Sequence, residues 1–235
     1  MFRPHEHKLG WDQSKVGQVY KALKNLVVNC EVPPRTRLDP TAISNVLKLK
    51  TSVTPVREAL IQLETEGYIE ILLGNGYYTK KLDTKTLSDH LDSTNMVLKN
   101  VFRENTFWHS KLVMLPRWDD FCVTSKSLEL FYDGIAKASN NRIMRNLVHE
   151  SNVRTRYIRG LDLHQPERLS CIRDDMSELL ELLDKRDRDA AIANVDRQFS
   201  AMIKSVPELV LEGNRRAGNT KESWLETLSK LSAES

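Results

Sequence analysis

The stretch from Asp39 to Thr79 restricts the fold more than any other part of the chain. Asp39-Pro40 starts a short helix carrying Ala42, Ile43, Val46 and Leu47: the carboxylate caps free amides, and proline sits where no donor is needed. A second start follows at Ser52-Val53-Thr54-Pro55, where Ser52 or Thr54 caps and Pro55 fits the first turn. Val56, Leu60, Ile61 and Leu63 then form an apolar stripe, with Arg57, Glu58, Gln62 and Glu64 off it, and Gly67 ends the helix. The β-rich run 68–72 leads into Gly74-Asn75-Gly76, a tight turn in which Asn-Gly tolerates the positive φ of a hairpin, and Tyr77-Tyr78-Thr79 returns as the second strand. Upstream, Val16, Val19, Tyr20, Leu23, Leu26 and Val27 recur at helical spacing until Val32-Pro33-Pro34 stops them.

Helix, helix, turn, helix and hairpin in that order make a compact winged helix-turn-helix. Its third helix is narrow enough for a major groove, where base edges are distinguishable, and its hairpin tip reaches adjacent backbone. Thr51, Ser52 and Thr54 would present hydroxyls and amides to phosphates. Arg57, one turn in and off the apolar stripe, reaches a phosphate or a guanine edge. Asn75 and Gly76 form the wing tip, and Lys80 and Lys81 add charge at its base. Residues 1–82 carry 12 Lys/Arg against 8 Asp/Glu, whereas 83–235 carry 23 against 24, so the positive excess lies where a polyanion would be met.

Beyond Thr84 no strand is predicted. Helical stretches run roughly over 85–104, 107–114, 117–137, 141–159, 167–184 and 187–205, separated by turns at Asn140-Asn141, Gly160-Leu161-Asp162 and Lys185-Arg186-Asp187. Residues 206–219 read as loose, and 220–231 as a short amphipathic tail helix. The chain is therefore expected to be mainly α: an N-terminal winged helix-turn-helix with a small β-hairpin (1–82), an all-helical bundle (83–212) and a C-terminal tail (213–235). Cys30, Cys122 and Cys171 form no CxxC pair and read as idle thiols of a reducing cytosol. No apolar run approaches the ~18 residues of a membrane span, and no secretory signal is read, which points to the cytoplasm. No nucleophile triad, nucleotide loop or metal-ligand spacing announces an enzyme.

The run Thr51-Ser52-Val53-Thr54-Pro55-Val56-Arg57-Glu58-Ala59-Leu60, followed by Leu63-Glu64-Thr65-Glu66-Gly67-Tyr68-Ile69, resembles the GntR family of bacterial regulators, usually V-S-R-T-P-V-R-E-A-L-x-x-L-E-x-E-G-L-V. Val32-Pro33-Pro34-Arg35-Thr36-Arg37-Leu38 resembles that family's P-P-G-x-x-L segment. Here Val53 replaces an arginine that often reads bases, and Arg35 replaces the glycine. The resemblance implies double-stranded DNA as partner, with more of the base reading left to Arg57 and the wing.

Phe131-Tyr132-Asp133-Gly134-Ile135-Ala136-Lys137-Ala138-Ser139-Asn140-Asn141 and Lys185-Arg186-Asp187-Arg188-Asp189-Ala190-Ala191 resemble stretches of the FadR branch, in its shorter VanR-like (FCD) form. That likeness implies a helical domain that dimerises and binds small effectors. Many members hold a divalent metal with one Asp and three His. Carried over, those positions fall on Leu128, Tyr132, Met176 and Gln198, which form no ordinary ligand set, so neither a metal nor another cofactor is expected. His5-Glu6-His7 would hold metal only adventitiously. Leu128, Tyr132, Met176 and Gln198 remain the candidates for an effector pocket. Arg154, Arg156 and Arg159 are assigned to a solvated helix face in preference to an anion site. Whether the pocket is apolar and suits a fatty ligand, or is filled by side chains, stays open. The expected function is a homodimeric repressor on a palindromic operator, sensing a small effector without metal. The alternative is a constitutive DNA-binding regulator whose bundle only dimerises.

Overall fold

A computed structural model describes residues 14–47, 52–72, 74–104, 107–108, 123–218 and 223–233. It is mostly helical, with one two-stranded antiparallel sheet among the described residues. The described residues divide into two compact units, those of Met1–Leu82 with Asn214–Ser235 and those of Asp83–Gly213.

The first unit opens with α1 (Lys15–Val28), capped by the Ser14 hydroxyl, which accepts from the Gly17 amide at 3.0 Å. Helix α2 (Pro40–Val46) starts as the sequence predicts: Asp39 Oδ1 accepts from the amides of Thr41 and Ala42, both at 2.9 Å. Helix α3 (Thr54–Thr65) has no side-chain bond from its N-cap Val53; instead Ser52 Oγ accepts from the Thr54 amide at 3.1 Å. The hairpin pairs β1 (Ile69–Leu72) with β2 (Gly76–Thr79) in the register Ile69 to Thr79 and Leu72 to Gly76. Positive φ falls on Gly74 and Gly76 (79° and 98°) rather than on Asn75, so the glycines carry the backbone reversal. The core of this unit joins Leu23 and Leu26 of α1, Ile43 of α2, Val56, Ala59, Leu60 and Leu63 of α3, and Ile69 of β1, all fully buried.

Ile61 is an exception to the predicted stripe. It is 50% exposed, because it follows Arg57 by four residues and so shares that residue's face. A polar clamp closes the far end of α3. The Tyr20 hydroxyl donates to Glu66 Oε2 at 2.5 Å, Lys24 Nζ donates to the same oxygen at 3.0 Å, and the Lys24 ammonium lies 4.3 Å from the centre of the Tyr68 ring. Burial pushes the Glu66 carboxyl up, but the bonds from Tyr20, Lys24 and Gln62 outweigh it and hold it below its ordinary value.

Residues 36–38 run beside the hairpin as a third extended segment, entered through a turn at Pro34-Arg35. The Arg35 amide donates to the Thr79 carbonyl (2.9 Å), the Thr79 amide to the Thr36 carbonyl (3.1 Å) and the Leu38 amide to the Tyr77 carbonyl (2.9 Å). Arg35 has φ 59°, the left-handed region that glycine occupies without a Cβ penalty. Arg35→Gly is therefore expected to stabilise the chain by about 0.5–1 kcal/mol, the relieved strain exceeding the extra entropy of the unfolded glycine. A denaturant midpoint that falls in this variant would show that the arginine side chain earns more from its surroundings than the backbone loses.

The segment set apart as a tail by sequence groups with this unit. Helix α9 (Trp224–Ala233) packs against α1 and α2, with Leu228 fully buried. Asn214 makes a reciprocal pair with the backbone of Leu82: the Leu82 amide donates to Asn214 Oδ1 (2.9 Å) and Asn214 Nδ2 donates to the Leu82 carbonyl (3.1 Å).

The second unit is helical throughout its described residues: α4 (Thr84–Arg103), α5 (Ser125–Ala138), α6 (Arg142–Leu163), α7 (Pro166–Lys185) and most of α8 (Arg188–Gly218). The helical expectations over 109–114 and 117–122 lie outside the described residues, as do His5, Glu6, His7, Thr51, His109 and Cys122. Two other expectations are corrected. Gly160-Leu161-Asp162 is not a turn; α6 continues to Leu163, and Gly160 lets α5 approach, since a Cβ there would meet Ser125 Oγ at 3.3 Å. Residues 206–218 are not loose; α8 runs through Pro207, because Val206, Leu209 and Val210 are buried at helical spacing and their burial offsets the lost backbone bond.

Candidate nucleic-acid interface and helical-unit cavity

On α3, Thr54, Arg57, Glu58 and Ile61 occupy one exposed face, opposite buried Val56, Ala59, Leu60 and Leu63. The Arg57 side chain makes no hydrogen bond or ion pair with any described residue, so a cation unpartnered among them stands one turn into the helix beside exposed Ser52 and Thr54. Asn75 is exposed at the wing tip and Gly76 half-buried behind it. Lys80 and Lys81 are both exposed, but Lys80 Nζ is committed to the Gly67 carbonyl at 3.1 Å. Sequence reasoning missed three members of this surface. Arg35 and Arg37 are exposed and brought to the wing by the backbone bonds of 35–38 to β2, and Ile61 adds an apolar group beside Arg57. The alternation of Arg35-Thr36-Arg37-Leu38, with Leu38 buried, was the available signal.

Within the second unit a cavity of about 30 Å³ lies among α5, α6, α7 and α8. Leu128, Tyr132 and Gln198 line it, as does Arg159; Met176 is fully buried but does not line it. The Tyr132 hydroxyl donates to Gln198 Oε1 at 3.3 Å, and burial pushes its pKa up to about 12, so it stays protonated. No group of three or more His, Cys, Asp or Glu side chains is placed to hold a metal ion among the described residues.

The arginines of α6 are not a solvated face. Arg159 is 3% exposed and Arg156 mostly covered, because α6 turns this side toward α5, where Glu129 is itself buried; Arg154, on another side of α6, is mostly covered too and donates to Glu150 of its own helix at 2.7 Å. Arg156 grips Glu129 with two bonds (2.6 and 2.9 Å). Arg159 donates to Thr155 Oγ1 (2.8 Å) and Asn152 Oδ1 (3.2 Å), with Glu129 Oε1 at 3.9 Å. Burial pushes the Arg159 guanidinium below its ordinary value, against the pull of Tyr132 and Glu129. One turn further along α6, Asp162 is 1% exposed and held by Arg168 at 2.9 Å through both oxygens.

Residues 15–78 match the family of bacterial regulatory proteins named gntR. The chain carries a GntR-family domain. The HTH-type transcriptional repressor RspR of Escherichia coli K12 is 35% identical over 65 residues, 28% of each chain, so this protein aligns with little more than a quarter of that relative's length. Two solved structures share the fold beyond the GntR-family domain. A Rhodococcus sp. RHA1 protein from structural genomics, bearing the name transcriptional regulator GntR, superposes with a TM-score of 0.68 at 13% identity, over 83% of this chain and 99% of its own. Escherichia coli McbR/YncC does so with 0.58 at 17% identity, over 83% and 98%. The GntR-family domain is thus joined to a second unit, helical throughout its described residues, whose fold is shared by these solved structures. No helix among the described residues is long and apolar enough to cross a membrane.

Proposed function

We propose that this protein is a DNA-binding transcription regulator of the FadR branch of the GntR family. Helix α3 enters the major groove, and Arg57 contacts a guanine edge or a phosphate. The observation that carries this reading is the Arg57 side chain, without a partner among the described residues, on an exposed face shared with Thr54 and Ile61. Ile61 supplies the apolar contact that a thymine methyl accepts. Ser52 and Thr54, with Thr51, bind phosphates at the helix start, and Asn75, Gly76 and Lys81 extend the contact along the wing, joined by Arg35 and Arg37. Two copies act together as a repressor in the cytoplasm on a palindromic site. Exposed Leu130 on α5 and Ile143 on α6 (52% and 69%) are apolar side chains that such pairing would cover. The helical unit senses a small effector, with Leu128, Tyr132 and Gln198 around the cavity and Met176 supporting it from the core.

Selection of bound duplex from a random pool at stated salt tests this reading. The expected product is an inverted repeat bound by two chains. Arg57→Ala should lose about 1–3 kcal/mol of affinity, with relaxed preference at one base position if the contact is to guanine. A protein that ignores every duplex at low salt, or an Arg57→Ala variant that binds like the parent, sinks the proposal.

A further inference from the structure

The hairpin of the wing brings no positive charge of its own. From Ile69 to Thr79 the one charged side chain is Glu70, and the tip Gly74-Asn75-Gly76 is neutral. Positive charge reaches the tip from another segment. A Cβ added at Gly76 would meet Arg37 Nε at 3.8 Å, so the Arg37 guanidinium lies alongside the turn. The backbone on both sides of Arg37 is fixed. The Thr36 amide donates to Thr79 Oγ1 at 3.0 Å, the Thr79 amide donates to the Thr36 carbonyl at 3.1 Å, and the Leu38 amide donates to the Tyr77 carbonyl at 2.9 Å. Leu38 is fully buried, so the alternation of an extended segment turns Arg37 outward. The Arg37 side chain is 62% exposed, and its carboxylate neighbour Asp39 is 3.9 Å away and 42% exposed. Such an open ion pair is weak and gives way to a better anion. Asp39 keeps its own role without it, since Oδ1 accepts from the Thr41 and Ala42 amides at the start of α2. The tip itself is thin. Nothing lies within 4 Å of a Cβ placed on Gly74, so bare backbone, exposed Asn75 and a guanidinium stand side by side. Thinness matters, because the minor groove of duplex DNA is only about 6 Å wide and is narrower and more negative over A·T runs. A·T pairs offer acceptors there, adenine N3 and thymine O2, whereas guanine adds an amine that opposes a donor. A guanidinium, which only donates and is weakly hydrated, suits the first surface and not the second.

We propose that Arg37, carried to the wing tip by segment 36–38, reads the minor groove beside each half-site and selects A·T pairs there. The proposal rests on the reading of the first unit as a duplex binder, and it adds a base preference at steps that α3 does not touch. Gly76 leaves the space that the guanidinium occupies, and the bonds to β2 hold Arg37 in place before DNA arrives.

The test uses the full chain and the duplex recovered by selection from the random pool. The steps flanking each half-site are rebuilt as A·T, inosine·cytosine or G·C pairs, and affinity is read by fluorescence anisotropy at fixed salt. Inosine·cytosine keeps the major-groove edge of G·C and lacks the guanine amine, so it isolates the minor groove. The parent chain should bind A·T and inosine·cytosine flanks roughly 5- to 30-fold more tightly than G·C flanks. Arg37→Ala should bring all three down to the G·C level. Arg37→Lys should lose most of the preference as well, because the ammonium keeps the charge but neither the planar fork nor the weak hydration. Both substitutions fall on an exposed side chain and leave the core of the unit untouched. Equal binding of the three flanks, inosine·cytosine flanks that behave as G·C, or a full preference that survives in Arg37→Ala or Arg37→Lys overturns the proposal. A chain that retains no duplex at all fails the DNA-binding reading, and this one with it. A chain that binds the selected duplex but ignores its flanks fails this one alone.

Discussion

Replacing Glu129 by alanine is expected to destabilise the helical unit by about 3–5 kcal/mol, because it leaves buried positive charge without its counter-ion. Glu129 is 2% exposed and is the common partner of Arg156, Lys126 and the more distant Arg159. Arg156 retains a route to water, but Arg159 does not: its remaining partners are neutral groups, and no other carboxylate among the described residues pairs with it. The Asn152 amide, which donates to the Glu129 carbonyl and to Asp133 Oδ1, is unaffected by the substitution, so the loss is electrostatic rather than a collapse of the α5–α6 backbone contact. Glu129→Gln should recover part of the loss, since it keeps an acceptor but not the charge. Denaturant unfolding followed by circular dichroism checks both variants. A cost below about 1 kcal/mol for Glu129→Ala would mean that water reaches Arg159 and screens the charge that Glu129 offsets.

The same residues show where sequence reasoning succeeds and where it stops. The winged helix-turn-helix was legible because its signals are local: Asp39 before Pro40, a proline in the first turn of α3, and glycines at the reversal of the hairpin. Arg57 was legible for the same reason, as a single position off a short apolar stripe. The arginines of α6 were not. Arg156 and Arg159 look like part of a solvated face until the carboxylate that covers them is known, and Glu129 lies 27 positions before Arg156 on another helix. Gly160 and Pro207 misled in the opposite direction. Both are breakers by intrinsic propensity, yet one relieves a close approach of α5 and the other sits beside buried Val206, Leu209 and Val210. The third segment of the wing, 35–38, was hidden because its bonds to β2 span 39 to 44 positions. Leu128, Tyr132 and Gln198 were named from a family position, not from any local pattern. Their meeting around one cavity is a fact of tertiary packing.

Leu228→Ala is expected to lower the stability of the N-terminal unit by about 2–4 kcal/mol, as large as a core deletion in α1 or α3. Leu228 has no exposed surface, and its helix packs on both α1 and α2. A ten-residue helix is too short to hold itself in water, so α9 exists because it is docked, and its docked face is Leu228 with half-buried Trp224 and Leu225. The alternative, a tail that only happens to lie there, predicts a surface-like change of about 0.5 kcal/mol or less. The distinction matters for the reader helix, because α2 is the first helix of the helix-turn-helix and packs directly on α3. If α9 braces α2, the variant should melt earlier and bind DNA with unchanged sequence preference, the weaker binding following only from the smaller folded fraction. If instead Leu228→Ala leaves the melting transition where it was, the C-terminal helix is dispensable to the domain, and the boundary at residue 82 suffices to define a folding unit.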